Sequence, residues 1–163
     1  MSANADKVDL RIECGGWEEI DAEALARRCF AAVESVEEAV AAPVCILLTD
    51  DAAMGELNAH FRGKDQPTNV LSFPPGDIPW PDYNYLGDLA LGFETCKREA
   101  AEKNISLADH AAHLMVHGML HLLGYDHEND DEAEQMERRE AEILAVLGVG
   151  DPYAASHGEM ERG

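Results

Sequence analysis

The spacing of apolar positions changes repeatedly along the chain, and each change marks an element. Val8, Leu10 and Ile12 alternate with charged residues, the two-residue period of a short strand with one buried face. Over residues 20–41 the period lengthens. Leu25, Cys29, Val33, Val36 and Val40 recur at helical spacing, with Glu and Arg on the other side. Pro43 is expected to end that helix, and the unbroken apolar run 44–48 fits a buried strand. Thr49, Asp50 and Asp51 offer N-caps for a second helix reaching Phe61. A polar loop at 62–68 leads into a strand at 69–73. Pro74, Pro75, Gly76, Pro79 and Pro81 then make 74–85 an irregular excursion. A fourth strand is expected at 86–91, closed by Gly92, and a short helix at 97–103.

Ser106-x-x-Asp109 resembles a capping box opening a helix over 107–123. This helix is apolar nearly all round, so it belongs in the middle of the domain, and Gly124 is placed to end it. A last amphipathic helix carries Ala133, Met136, Ile143, Leu144 and Leu147 as its inner stripe. Its acidic run, with eight carboxylates between Glu128 and Glu142, reads as a solvated face. The order βαβαββααα predicts an α+β fold: a small mixed sheet of about four strands packed with about five helices. Residues 1–150 are expected to form a single domain, with 151–163 a loose polar tail.

Charge narrows the function. Against 33 Asp and Glu stand 12 Lys and Arg, a net charge of −21. A protein that grips nucleic acid by bulk electrostatics needs the opposite balance, so DNA is not an expected partner; a local basic or metal-bearing cleft remains open. No run reaches the roughly 18 apolar residues of a membrane span. The first thirty residues are too charged for a signal-peptide apolar region, which predicts a soluble, cytoplasmic protein. Cys14, Cys29, Cys45 and Cys96 lack the spacing of a thiolate zinc site and read as reduced, small apolar residues.

Five of the seven histidines fall within eighteen residues, and His110, His113, His117 and His121 project onto one stripe of the buried helix. Buried imidazoles need partners or a metal. His117 and His121 are one turn apart and can share one ion; Gly124 permits a reversal that returns His127 as a third ligand. Three imidazoles with an open fourth position favour one zinc per chain, with nickel or another divalent metal as alternatives. The spacing H-x-x-x-H-x-x-G-x-x-H matches that of the metzincin proteases. However, the Glu that serves them as base is replaced by Gly118, which argues against peptide hydrolysis. A helix-interior glycine costs about 1 kcal/mol against alanine, so something is expected to pack or bind close to the backbone there. Met136 falls on the last helix's core stripe and reads as packing rather than as a metzincin Met-turn.

The run His117-Gly118-Met119-Leu120-His121-Leu122-Leu123-Gly124-Tyr125-Asp126-His127 closely resembles the H-G-x-L-H-L-x-G-Y-D-H signature of the YbeY family, bacterial endoribonucleases of ribosomal RNA maturation. A block from Arg62 to Phe73 resembles that family's other hallmark, and Leu86-Gly87-Asp88 and Leu147-Gly148 with Asp151-Pro152-Tyr153 are further points of likeness. The resemblance spans most of residues 44–153. It implies that His117, His121 and His127 hold the zinc, with Arg62 and His117 in the catalytic machinery. The expected chemistry is a metal-activated water or metal-polarised phosphate, with Arg62 clamping the phosphodiester and stabilising the phosphorane. Lys64 is a candidate for contact with substrate, and His113 for that or for a place behind the ligands. Asp126 is a candidate for orienting a ligand or acting as a base, and Asp88 for orienting a ligand. Asp88 and Ser72 also read as motif members of structural role. The resemblance also implies single-strand RNA cleavage in late maturation of the small-subunit 3′ end and in ribosome quality control. Small-subunit proteins and a ribosome-assembly GTPase are the partners it implies. Two rivals stay open: a metal-dependent peptidase or other hydrolase with its base from elsewhere, and a non-catalytic ribosome-assembly factor with structural zinc.

Overall fold

Alternation within the strands decides which side of the sheet each residue serves. In the computed structural model, which describes residues 8–37, 43–63, 68–73, 86–125 and 129–150, there are four strands. They are β1 (Val8–Ile12), β2 (Val44–Thr49), β3 (Val70–Phe73) and β4 (Gly87–Gly92), in the order β1-β2-β4-β3. β1 and β4 run parallel to β2, and β3 is antiparallel to β4. Five α-helices accompany them: α1 (Ala22–Val36), α2 (Asp51–Arg62), α3 (Phe93–Glu102), α4 (Leu107–Leu122) and α5 (Asp130–Val146). The mixed four-stranded sheet with five helices is the architecture expected from the sequence.

Ile46, Leu48, Leu89 and Leu91 face the main core, together with Leu25 and Phe30 of α1, Met115 and Met119 of α4, and Ile143 and Leu144 of α5. The residues between them turn to the other face, where Met54 of α2 packs on Leu71 and Ala90 in a smaller cluster edged by Leu47, Leu57 and Phe73. α2 covers only part of that face. The remainder is a cavity of about 710 Å³ lined by Asp9, Arg11, Cys45, Phe61, Arg62 and Asp88, among others. β2 is therefore half-covered on this side, where a fully buried strand was expected.

Two boundaries and one added turn differ from the periodicity. α1 stops at Val36 because Glu37 turns to an extended conformation and gives its carboxylate to the Tyr125 hydroxyl and Arg139. Val40 lies outside the described residues. α3 starts at Phe93, four residues earlier than expected, because its first turn is capped from a distance. The Asp51 carboxylate accepts hydrogen bonds from the Thr95 backbone N–H (3.1 Å) and hydroxyl (2.8 Å). An unexpected 3₁₀ turn, Gly15–Glu19, buries Trp17 completely and directs its indole N–H to the Thr49 carbonyl at 2.9 Å. The expected excursion at 74–85 and tail at 151–163 lie outside the described residues. The four cysteines are free.

Candidate metal centre

α4 forms where its sequence dictates. The Ser106 hydroxyl accepts from the Asp109 N–H at 3.0 Å, opening the helix, and Gly124 at φ +106° closes it. Between these ends the helix lies against the sheet at its glycine. A Cβ on Gly118 would come within 2.6 Å of Leu89 Cδ2 and 3.3 Å of Ser72 Oγ. The glycine anticipated to mark a close approach is thus a packing contact. It seats α4 on β4 and β3 and fixes where the neighbouring histidines stand.

Those histidines are oriented from behind. The His121 Nδ1–H donates to the Tyr125 carbonyl at 3.0 Å, and His117 Nδ1 is hydrogen-bonded to Glu140 Oε1 on α5. A carbonyl can only accept, so His121 carries a proton on Nδ1; His117 does the same when Glu140 is ionised. Each Nε2 then presents a lone pair, and the two Nε2 atoms face one another at 3.1 Å. Two ligand nitrogens of a tetrahedral zinc stand about 3.3 Å apart. A cation between them would accept both lone pairs at close to that spacing. The third member of the stripe, His113, is buried and places Nε2 3.5 Å from Glu140 Oε2. His113, His117 and Glu140 bring their ligating atoms within 4.8 Å of one another, so this group could hold a metal ion.

Arg62 closes α2 instead of opening the expected loop. Its guanidinium donates to the Ser72 carbonyl at 2.7 Å and lies 5.7 Å from the centre of the Phe73 ring, at the rim of the cavity. Ser72 also reaches α4: its hydroxyl donates to the Gly118 carbonyl at 3.5 Å, the outer limit of hydrogen bonding. β3 thereby joins the Arg62 block to the histidine helix. A family model described as endoribonuclease YbeY matches residues 11–148. The chain belongs to the YbeY family. Proteins named endoribonuclease YbeY from Bradyrhizobium diazoefficiens and Chelativorans sp. (strain BNC1) are 48% and 47% identical to it. These alignments cover 93% of this chain and 87% of the first relative, and 94% and 96% for the second. The solution structure of TM1509 from Thermotoga maritima shares the fold, with a TM-score of 0.57 at 24% identity, over 86% of this chain and 91% of that one.

Of the residues singled out in the YbeY signature blocks, His117 and His121 stand together on α4 and the Ser72 hydroxyl reaches that helix, while Arg62 lies on the α2 side of β3, beside Phe73. His113 was expected to reach substrate or to stand behind a ligand; its ring is enclosed and turned to Glu140. Asp88 was expected near the metal, but β4 alternation sends Leu89 to α4 and Asp88 to the opposite face, where it bonds the Cys45 thiol. Burial, then Asp88 and Asp9 beside it, push that thiol up to about 11. Lys64, Asp126 and His127 lie outside the described residues. Met136 is in the core, as expected. Glu140 was assigned to a solvated acidic face and is instead completely buried, the one buried Asp, Glu, Lys or Arg among the described residues. Its position gave the signal: it lies four residues after Met136, three before Ile143 and four before Leu144, on the helix's apolar stripe.

Proposed function

We propose that the chain is a metal-dependent, single-strand endoribonuclease acting in ribosomal RNA maturation in the cytoplasm. Late processing of the small-subunit 3′ end and ribosome quality control are its settings, and small-subunit proteins and an assembly GTPase are its partners. The observation that carries this reading is the pair of Nε2 atoms of His117 and His121, 3.1 Å apart on a helix of the family's signature sequence. In this reading His117, His121 and His127 hold one zinc per chain. When bound, such an ion acts as a Lewis acid toward a phosphoryl oxygen and lowers the pKa of a coordinated water to about 7.

The chain's own groups do the rest. Arg62 uses the donors not given to Ser72 to hold a phosphodiester oxygen and to oppose the charge that builds in the transition state. Lys64 adds attraction for the RNA strand, and Asp126 orients a ligand. Gly118, in place of an acidic base, speaks against a peptidase. The net charge of −21 gives some support to a second reading, an assembly factor that holds metal for structure and does not cleave.

Cleavage of a small-subunit RNA 3′ fragment by metal-quantified protein tests the choice, with Arg62→Ala protein purified identically as the control. Wild-type cleavage, reduced at least 100-fold in Arg62→Ala with fold and metal content retained, is expected. Equal rates in the two would remove Arg62 from the mechanism and favour the assembly factor.

A further inference from the structure

We propose that Glu140 is a positioning residue of the metal centre, holding His117 as a ligand through Nδ1 while His113 braces the carboxylate's other oxygen. The inference rests on the reading that Nε2 of His117 and of His121 bind the ion. The chain carries 33 acidic residues, and Glu140 is the only one completely buried among those described. Taking a carboxylate out of water is costly, and replacing a whole buried charged group and its partners by apolar residues of similar volume is commonly neutral or stabilising. With Met136, Ile143 and Leu144 around it on α5, packing alone calls for a Leu or Met at 140. The acid therefore serves something other than the core.

What it serves is legible in its contacts. Oε1 bonds His117 Nδ1 and Oε2 faces His113 Nε2 at 3.5 Å, so each oxygen turns to a different histidine of α4. The first contact fixes the His117 tautomer and ring direction, and its negative charge makes Nε2 a stronger donor. Tyr125 does the same for His121 with a neutral carbonyl. The two ligands are thus held alike but unequally polarised, and the charged partner comes from a separate helix. The rival arrangement uses Glu140 itself as a ligand beside His113 and His117. In it the ion would take the place of the hydrogen bond between Glu140 Oε1 and His117 Nδ1, and His121 would stand outside the ligand set.

The test compares zinc affinity, by competition with a chromophoric chelator, and the visible spectrum of the cobalt(II)-loaded protein. The full chain is used, as wild type and as Glu140→Gln, Glu140→Ala, Glu140→Met and His121→Ala. The expected result is one metal per chain in all three Glu140 variants, with unchanged cobalt band intensity. Zinc affinity should fall about 10–100-fold in Glu140→Ala and Glu140→Met and recover partly in Glu140→Gln, whose amide oxygen still accepts from Nδ1–H. Urea unfolding of the metal-free variants separates the ligand effect from packing, since stability lost there does not depend on the ion. His121→Ala should lose the metal. Wild-type affinity in the Glu140 variants, with His121→Ala empty, overturns this inference alone. Metal retained by His121→Ala but lost from Glu140→Gln overturns the ligand reading beneath it.

Discussion

Single residues set the distance between α4 and the sheet. Gly118 does so at the middle of the helix and Gly87 near its end. At Gly87 the backbone has φ +146°, and a Cβ would meet the Phe73 carbonyl oxygen at 2.7 Å and Leu122 Cδ2 at 2.6 Å. Backbone cannot give way as a flexible side chain can, so Gly87→Ala is expected to destabilise the protein by about 2 kcal/mol or more in urea unfolding. Cysteines make the opposite point, being chemically quiet. Burial pushes the Cys29 and Cys96 thiols up to about 12, in keeping with their reading as small apolar residues of the core.

At the scale of elements, caps reach across the structure. Asp51 begins α2 and also closes the N-terminus of α3, so Asp51→Ala should lower stability by about 1–2 kcal/mol in the same unfolding measurement. This long-range cap explains why the start of α3 was illegible: nothing within residues 89–97 announces it. The main frame was legible because strands and helices bury regular stripes, and period alone reveals a stripe. α4 was read nearly to the residue, since its cap, its glycine stop and its apolar surface are all local. The histidine pair was legible for the same reason. Glu140 was not, because charge outweighed position in reading α5, although its place on the stripe was already visible. Arg62 was read as a loop residue because the left-handed Gly63 that ends α2 comes directly after it. Asp88 misled because a motif member was taken to share its neighbours' site, while alternation along β4 puts it on the far face.

At the scale of the whole molecule, acid should loosen the fold through a buried imidazole and the half-buried carboxylate bonded to it, neither of which the mechanism uses. His110 is completely buried, with Nε2 bonded to Glu99 Oε1 at 2.8 Å. Burial, working against the Glu99 bond, holds the imidazole below its ordinary 6.5. The unfolded chain therefore takes up a proton that the fold resists, and stability declines as pH falls from 6.5 toward the folded value. Glu99 acts lower in the range. Burial raises its carboxyl, but the hydrogen bonds from His110 and Asn69 outweigh that and hold it below 4.5, so its contribution is lost as pH falls from 4.5 through the folded value. Melting temperature measured from pH 7.5 to 5 should drop less in His110→Gln than in the wild type; identical slopes would show that His110 does not titrate on unfolding.

The strand order has a consequence for synthesis. β4 is made last of the four strands yet stands inside the sheet, between β2 and β3. A nascent chain can pair β1 with β2, but β3 has no neighbour until residues 87–92 have emerged. Until then β2 shows an open edge bearing Ile46 and Leu48, a template for pairing with another chain. A ribosome stalled before β4 would release a fragment prone to self-association, and C-terminal trimming that removes this strand leaves only the β1–β2 pair, with β3 detached.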